Sequence, residues 1–247
     1  MKVAVFGGSG LVGSLIVPRL AVDFDVVIVD PKQPGFSTEA RWLSVDVHDE
    51  AALSDVLINC GAVVYAAMGP KDDWEQSIEW AEAQFDINVK LLWAVADAAA
   101  RHQVRRFVHL STMSVFQDYL LTGKEEGWLP DATDVYGMTK RFGELVCRAA
   151  AVRSTMSAIS LRLVGPMPDA EWRDFDDPHL ADVVTAGTDV AAAVRAAILK
   201  DMDPGTWDSF PISGDAQYKF VDLRRSREEL GWSPTKRGSD DDEIGAR

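Results

Sequence analysis

The stretch KVAVFGGSGLVG, residues 2–13, runs a short β-branched segment straight into a glycine-rich turn, and the apolar positions Leu11, Leu15 and Ile16 then continue at helical spacing toward Leu20. Strand, tight turn and helix in that order let the backbone at Gly7, Gly10 and Gly13, spaced G-x-x-G-x-x-G, come close to a pyrophosphate while the first helical N–H groups point at it. The run VVIV at 26–29 supplies the next strand and closes a strand–helix–strand unit.

The same alternation continues along the chain. A strand is predicted at 42–45 (WLSV), a helix at 49–57, a strand at 62–67 (AVVYAA) and a long helix over 74–101 with one break allowed. The strand RFVHLS (106–111), a helix over 134–151 and the strand SAISLRL (157–163) follow. Strands that alternate with helices, and are apolar enough to be covered on both faces, imply an α/β fold with a doubly wound parallel sheet and right-handed crossovers. Residues 1–163 are therefore read as a nucleotide-binding Rossmann domain that also carries the reactive groups. Residues 164–235 are read as a small substrate-covering lobe. It opens with the loop-like, proline- and aspartate-rich GPMPDAEWRDFDDPH and contains helices at 188–199, capped by Thr188 or Asp189, and at 226–232. Residues 236–247 lack an apolar pattern and read as a frayed tail.

At 247 residues the chain can bury a full core, and 47% apolar with 26% charged residues excludes disorder and a disulfide-stapled miniprotein. A charge of −14 disfavours nonspecific binding to nucleic acid or an anionic membrane. No run reaches the roughly 18 apolar residues of a membrane span. Cys60 and Cys147 lie in apolar stretches, as expected of core residues in a reducing compartment, and the cytoplasm is the expected location. His48, His102, His109 and His179 show no ligand spacing, so no metal site is expected. Most of the eight tryptophans fall at helical spacing or strand ends and are assigned to the core. Trp172 and Phe175 are the exceptions, sitting in the covering loop.

Asp30 ends the second strand, where a carboxylate accepts hydrogen bonds from ribose hydroxyls and repels a 2′-phosphate, favouring NAD over NADP. Asp46, after the third strand, either receives an adenine amino group or caps the helix that begins near Asp49. Tyr136 and Lys140 are four residues apart at a helix start and share one face. A neighbouring ammonium and the positive helix end are expected to lower the phenol from its ordinary value near 10, making it a usable acid or base. Upstream, the hydroxyl-rich Ser111-Thr112-Met113-Ser114 lies at the carboxyl end of a predicted strand, the edge where doubly wound sheets bind ligands.

With these motifs in view, the chain resembles the extended short-chain dehydrogenase/reductase family, the group that contains NAD-dependent sugar epimerases and dehydratases. The likeness rests on the glycine loop, Asp30, Asp46-Val47, AAMG (66–69), Asn88, STMSVF (111–116) and YGMTK (136–140). It extends more weakly to LRLVGP, TDVAAAV and ELGWSP. It implies a tightly held NAD, contacted by Gly7, Gly10, Leu11, Val12, Asp30, Asp46, Val47, Ala66, Ala67, Met68, Asn88, Tyr136, Lys140 and Leu163. It also implies Tyr136 as general acid/base, Lys140 as the residue that lowers its pKa and holds the nicotinamide ribose, and Thr112 as the holder of the reacting oxygen. Pairing of the helices that bear Asn88 and Tyr136 into a homodimer is implied as well.

The chain departs from the pattern at Phe116, where many relatives have tyrosine, and at Met113. Only 85 residues run from Leu163 to the end, which suits a small sugar-like substrate better than a nucleotide sugar. Among compact relatives, uronate dehydrogenases are most similar, with Met113 in place of an asparagine. Arg173 lies where a substrate-binding arginine would meet a carboxylate; alternatively it pairs with Asp174, Asp176 or Asp177. The leading expectation is an NAD-dependent oxidoreductase that oxidises a sugar or sugar-acid hydroxyl, with Thr112, Met113 and Arg173 facing the substrate. The rivals are an epimerase or dehydratase with transient hydride transfer, and a noncatalytic NAD-binding sensor.

Overall fold

The computed structural model describes residues 1–122 and 129–235. Strand β1 (Lys2–Phe6) leads through the glycine turn into α1 (Leu11–Leu20), followed by β2 (Asp25–Val29), β3 (Arg41–Leu43), α2 (Glu50–Leu57) and β4 (Cys60–Tyr65). Helix α3 (Ile78–Phe85) passes through a π-helical turn (Asp86–Leu91) into α4 (Leu92–Arg101), and β5 (Arg106–Thr112) follows. A short α5 (Tyr119–Thr122), the long α6 (Val135–Val152) and β6 (Ser157–Leu163) complete the expected series. Beyond it lie β7 (Pro166–Met167), α7 (Asp169–Asp174), β8 (Thr185–Ala186), α8 (Gly187–Leu199), β9 (Trp207–Ile212) and α9 (Arg224–Glu228).

Seven strands form one sheet in the order β3-β2-β1-β4-β5-β6-β9, every neighbouring pair parallel. Successive side chains of a strand point to opposite faces, and β1 shows the consequence. Val3 and Val5 join a core with α1 and α8, whereas Ala4 and Phe6 join a second core with α2, α4 and α6. Two covered faces are what the continuous apolar strands require. The reversal of strand order lies between β1 and β4, so the crevice at the carboxyl ends of these strands is where the fold receives a ligand.

Several elements differ from expectation. The helix expected from 74 begins at Ile78, capped by the Ser77 hydroxyl accepting from Trp80 N, because Asp73 and Glu75 hold φ of 55° and 57°, which no right-handed helix tolerates. Strand β3 stops at Leu43. The region after Leu163 is not plain loop: β7, α7 and β8 form a small unit around Trp172, which is buried, its indole N–H donating to Val184 O at 3.1 Å. Trp172 is therefore a core residue of that unit, while Trp74 and Trp93, assigned to the core by spacing, are exposed.

Neither Thr188 nor Asp189 caps α8. Asp169 of α7 does so from outside, accepting from Thr188 N at 2.8 Å, while Asp189 is buried and takes the Thr235 hydroxyl at 2.7 Å. Strand β9 has no counterpart among the predicted strands, since Pro211 and two polar residues mask its pattern; as the edge strand it tolerates the proline. Strand β9 joins the main sheet and α8 packs in the helical layer beside α1. The tail expected at 236–247 lies outside the described residues.

Candidate active site

The glycine turn is close-packed. Gly7 takes a φ of +76°, and a Cβ there would stand 2.4 Å from Ala67 N, so the backbone of Ala66 and Ala67 passes directly against the turn. A Cβ on Gly13 would meet Gly8 O at 2.2 Å, which fixes how tightly α1 approaches β1. Gly10 is the N-cap of α1 and offers no side chain to its N–H groups. The first-turn donors, those of Leu11, Val12 and Gly13, are left for an external acceptor.

Asp30 is held at the rim of this turn, its carboxylate accepting from Ser9 N at 3.1 Å and Lys32 N at 2.9 Å. Ser9 is half-buried, and its Oγ is shielded from solvent and unpartnered. A turn with free donors, an orphaned hydroxyl and a positioned carboxylate fits a dinucleotide. Asp46 is exposed and accepts from His48 N, and α2 is capped by Asp49 instead, which removes the capping alternative for Asp46. Val47, Ala66, Ala67 and Met68 are half-buried along the same crevice wall, and Leu163 pairs in register with Thr112 at the ends of β6 and β5.

Thr112 ends β5 and caps a single 3-10 turn (Met113–Val115) by accepting from Ser114 N at 3.1 Å. Asp134 caps α6 by accepting from Gly137 N at 2.7 Å, and Gly137 has no room for a Cβ against Ser114 O. These two caps place the Tyr136 and Thr112 side chains beside one another. Lys140, one turn further, is buried and donates to Leu110 O at 3.1 Å.

The electrostatics correct one expectation. Burial pushes Tyr136 up to about 12, opposed by the Thr112 hydrogen bond and reinforced by Asp134 and Tyr119. Burial also pushes the Lys140 ammonium down to about 8, and its Nζ is engaged by a backbone carbonyl. In a dry site the cost of charging each group outweighs their mutual attraction.

Asn88 sits in the π-helical turn, fully buried, and donates to Gln84 Oε1 at 2.9 Å and Thr139 Oγ1 at 3.1 Å; its own Oδ1 has no partner. The Thr139 hydroxyl in turn donates to Tyr136 O at 2.9 Å, so Asn88 fastens the start of α6 to the helix beneath it. Met113 is buried, and it borders a cavity of about 510 Å³ between α6 and β9, also lined by Phe116, Glu144, Arg162, Pro211 and Arg225. Thr112, Tyr136 and Lys140 do not line that cavity, so it adjoins the site without containing it. Arg173 is exposed on α7 and makes no ion pair with Asp174, Asp176 or Asp177 among the described residues.

Sequence reasoning missed Glu144 and Arg162 behind the site. Glu144 accepts from Ser111 Oγ at 2.7 Å and holds the Arg162 guanidinium through two bonds of 2.9 and 2.7 Å. Its position four residues beyond Lys140, on the same helix face, was the available signal. Among the described residues no group of three His, Cys, Asp or Glu could hold a metal ion, and no helix is long and apolar enough to cross a membrane.

Comparison with known proteins agrees with this geometry. The family model described as "NAD dependent epimerase/dehydratase family" matches residues 3–183. An L-arabinose 1-dehydrogenase (NAD(P)(+)) of Haloferax volcanii is 29% identical over 176 residues, 66% of this chain and 66% of that protein, so the match spans just under two thirds of the relative's length. Among solved structures, MoeE5 in complex with UDP-glucuronic acid and NAD has a TM-score of 0.76 at 20% identity, covering 96% of this chain and 94% of that one. A mutated uronate dehydrogenase has a TM-score of 0.77 at 19% identity, covering 96% of this chain and 82% of the other.

Proposed function

This chain belongs to the NAD-dependent epimerase/dehydratase family, whose cofactor is NAD, and on that premise we propose that it oxidises a hydroxyl of a sugar or sugar acid. The observation that carries the reading is the placement of the Tyr136 phenol beside the Thr112 hydroxyl at the carboxyl end of β5, with Lys140 one helical turn away.

In this reading the N–H groups after Gly10, at Leu11 and Val12, and the close backbone at Gly7 hold the pyrophosphate; Asp30 takes the adenosine ribose; Asp46 and Val47 border the adenine. Ala66, Ala67, Met68 and Leu163 line the nicotinamide end. Held there, NAD would supply a hydride acceptor for the substrate carbon. Thr112 orients the reacting oxygen, and Tyr136 is the acid/base group, which takes the oxygen's proton once it has ionised. Lys140 holds the nicotinamide ribose, and Asn88 positions the start of α6. The exposed Arg173 guanidinium, on the unit that covers the crevice after Leu163, is suited to a substrate carboxylate.

Incubating the protein with NAD and a panel of aldoses, uronic acids and nucleotide sugars, while following NADH absorbance and product identity, tests this. Net NADH with an oxidised product is the expected outcome; an isomerised or dehydrated product without net NADH would make it an epimerase or dehydratase. Binding of NAD with no turnover of any member would favour a sensor.

The exposed Phe85, Phe142 and Leu145 on α3 and α6 support pairing of two copies through these helices, which sedimentation tests. Two buried free cysteines suit the reducing cytoplasm.

A further inference from the structure

We propose that Trp74 is the platform on which the substrate's sugar ring stacks, its apolar C–H face against the indole and its reacting hydroxyl toward Tyr136. This rests on the oxidoreductase reading and names what that site recognises.

Trp74 stands on the segment between β4 and α3, its ring centroid 4.8 Å from that of Tyr136 and 5.1 Å from that of Trp80. Trp80 is buried at 3% exposure, whereas Trp74 is 40% exposed. The buried indole thus supports an open one beside the reactive phenol.

The segment is built to hold it there. The Trp80 indole N–H and the Gln84 amide both donate to Pro70 O, at 2.9 and 3.0 Å. A Cβ on Gly69 would lie 2.5 Å from Gln84, so the chain passes flush against α3. At the other end Ser77 is fixed as the helix cap. Between these anchors Asp73 and Glu75, the two neighbours of Trp74, both adopt left-handed backbone, an unfavourable conformation for such residues and one that clusters at ligand clamps. The same Gln84 accepts from Asn88, which bonds Thr139 and through it the carbonyl of Tyr136. One hydrogen-bonded chain therefore registers the segment that carries the indole against the helix that carries the phenol.

The ligand chemistry follows. An aromatic face carries partial negative charge and attracts polarised C–H groups, while hydroxyls at the ring's rim stay hydrogen-bonded. A pyranose or furanose has such a face; a short open-chain alcohol has none.

The test uses the ¹⁵N-labelled, NAD-saturated protein. The Trp74 indole N–H resonance is assigned by its loss in Trp74→Phe and followed during titration with aldoses, uronic acids and UDP. A saturating shift with a sugar, together with at least a tenfold rise in sugar KM for Trp74→Ala, an unchanged NAD KM and near-normal behaviour of Trp74→Phe, is the expected result. A resonance unmoved by any sugar, a shift caused by UDP alone, a sugar KM within twofold of wild type in Trp74→Ala, or an equal rise in NAD KM would overturn it. The two readings fail separately. NADH formation that is indifferent to Trp74 removes the platform and leaves the oxidoreductase, and a sugar-dependent shift without turnover does the reverse.

Discussion

Glu144 grips Arg162 with both carboxylate oxygens, and the two side chains are 4% and 12% exposed, so this ion pair is largely buried between α6 and β6, at the wall of the adjoining cavity. It also takes the Ser111 hydroxyl, tying the last residues of β5 to the helix that carries Tyr136. Removing one partner leaves an uncompensated buried charge, which typically costs about 3–5 kcal/mol. Glu144→Ala is therefore expected to lower the urea midpoint strongly. The double variant Glu144→Leu/Arg162→Met should recover most of the loss, and equal destabilisation in the two variants would contradict the account.

Tyr136→Phe deletes only the hydroxyl to which the proposed reaction assigns the substrate proton. A loss of kcat on the order of 10²–10⁴ is expected. NAD affinity, measured by calorimetric titration, should stay within a fewfold of wild type, because the pyrophosphate cradle lies on a different element.

Asp30 contributes a carboxylate at the rim of the glycine turn, fixed by Ser9 N and Lys32 N. Asp30→Ala should weaken NAD by roughly tenfold and strengthen NADP, since the lost bonds are charge-assisted and the lost charge repelled the 2′-phosphate. The ratio of the two cofactor KM values measures this, and an unchanged ratio would remove Asp30 from the ribose site.

Burial lowers Lys140 from 10.5 to about 8, so between those values the unfolded chain binds more protons than the folded one. Stability from this group then rises with pH across roughly pH 8 to 10 and is at its least below pH 8, where the buried ammonium is charged. Lys140→Met removes that burden. Its urea midpoint is expected to exceed wild type at pH 7, with the gap shrinking by pH 9.5, and a gap that widens with pH would reverse the assignment.

Much of this was legible in the residues themselves. The glycine turn, Asp30 and the Tyr136–Lys140 spacing are local features whose geometry the backbone enforces, and the structure places each on the element that its neighbours implied. The parallel sheet followed from apolar runs covered on both faces. The misreadings have equally physical sources. Helical spacing from Trp74 is undone by left-handed residues on either side of it. Polar residues and a proline hide β9. The cap of α8 comes from Asp169, which sits on a separate helix well upstream of Thr188 and beyond the reach of any local capping pattern.

By itself, the order of residues determined the strand–turn–helix suited to a dinucleotide and the helix face that pairs a phenol with an amine, because periodicity and turn chemistry act over a few residues. Tertiary structure alone decided that Trp74 flanks Tyr136, that Glu144 and Arg162 close the back of the site, and that burial raises the phenol's pKa while lowering the amine's. Those outcomes depend on which distant segments exclude water from one another, and desolvation has no signature in local spacing.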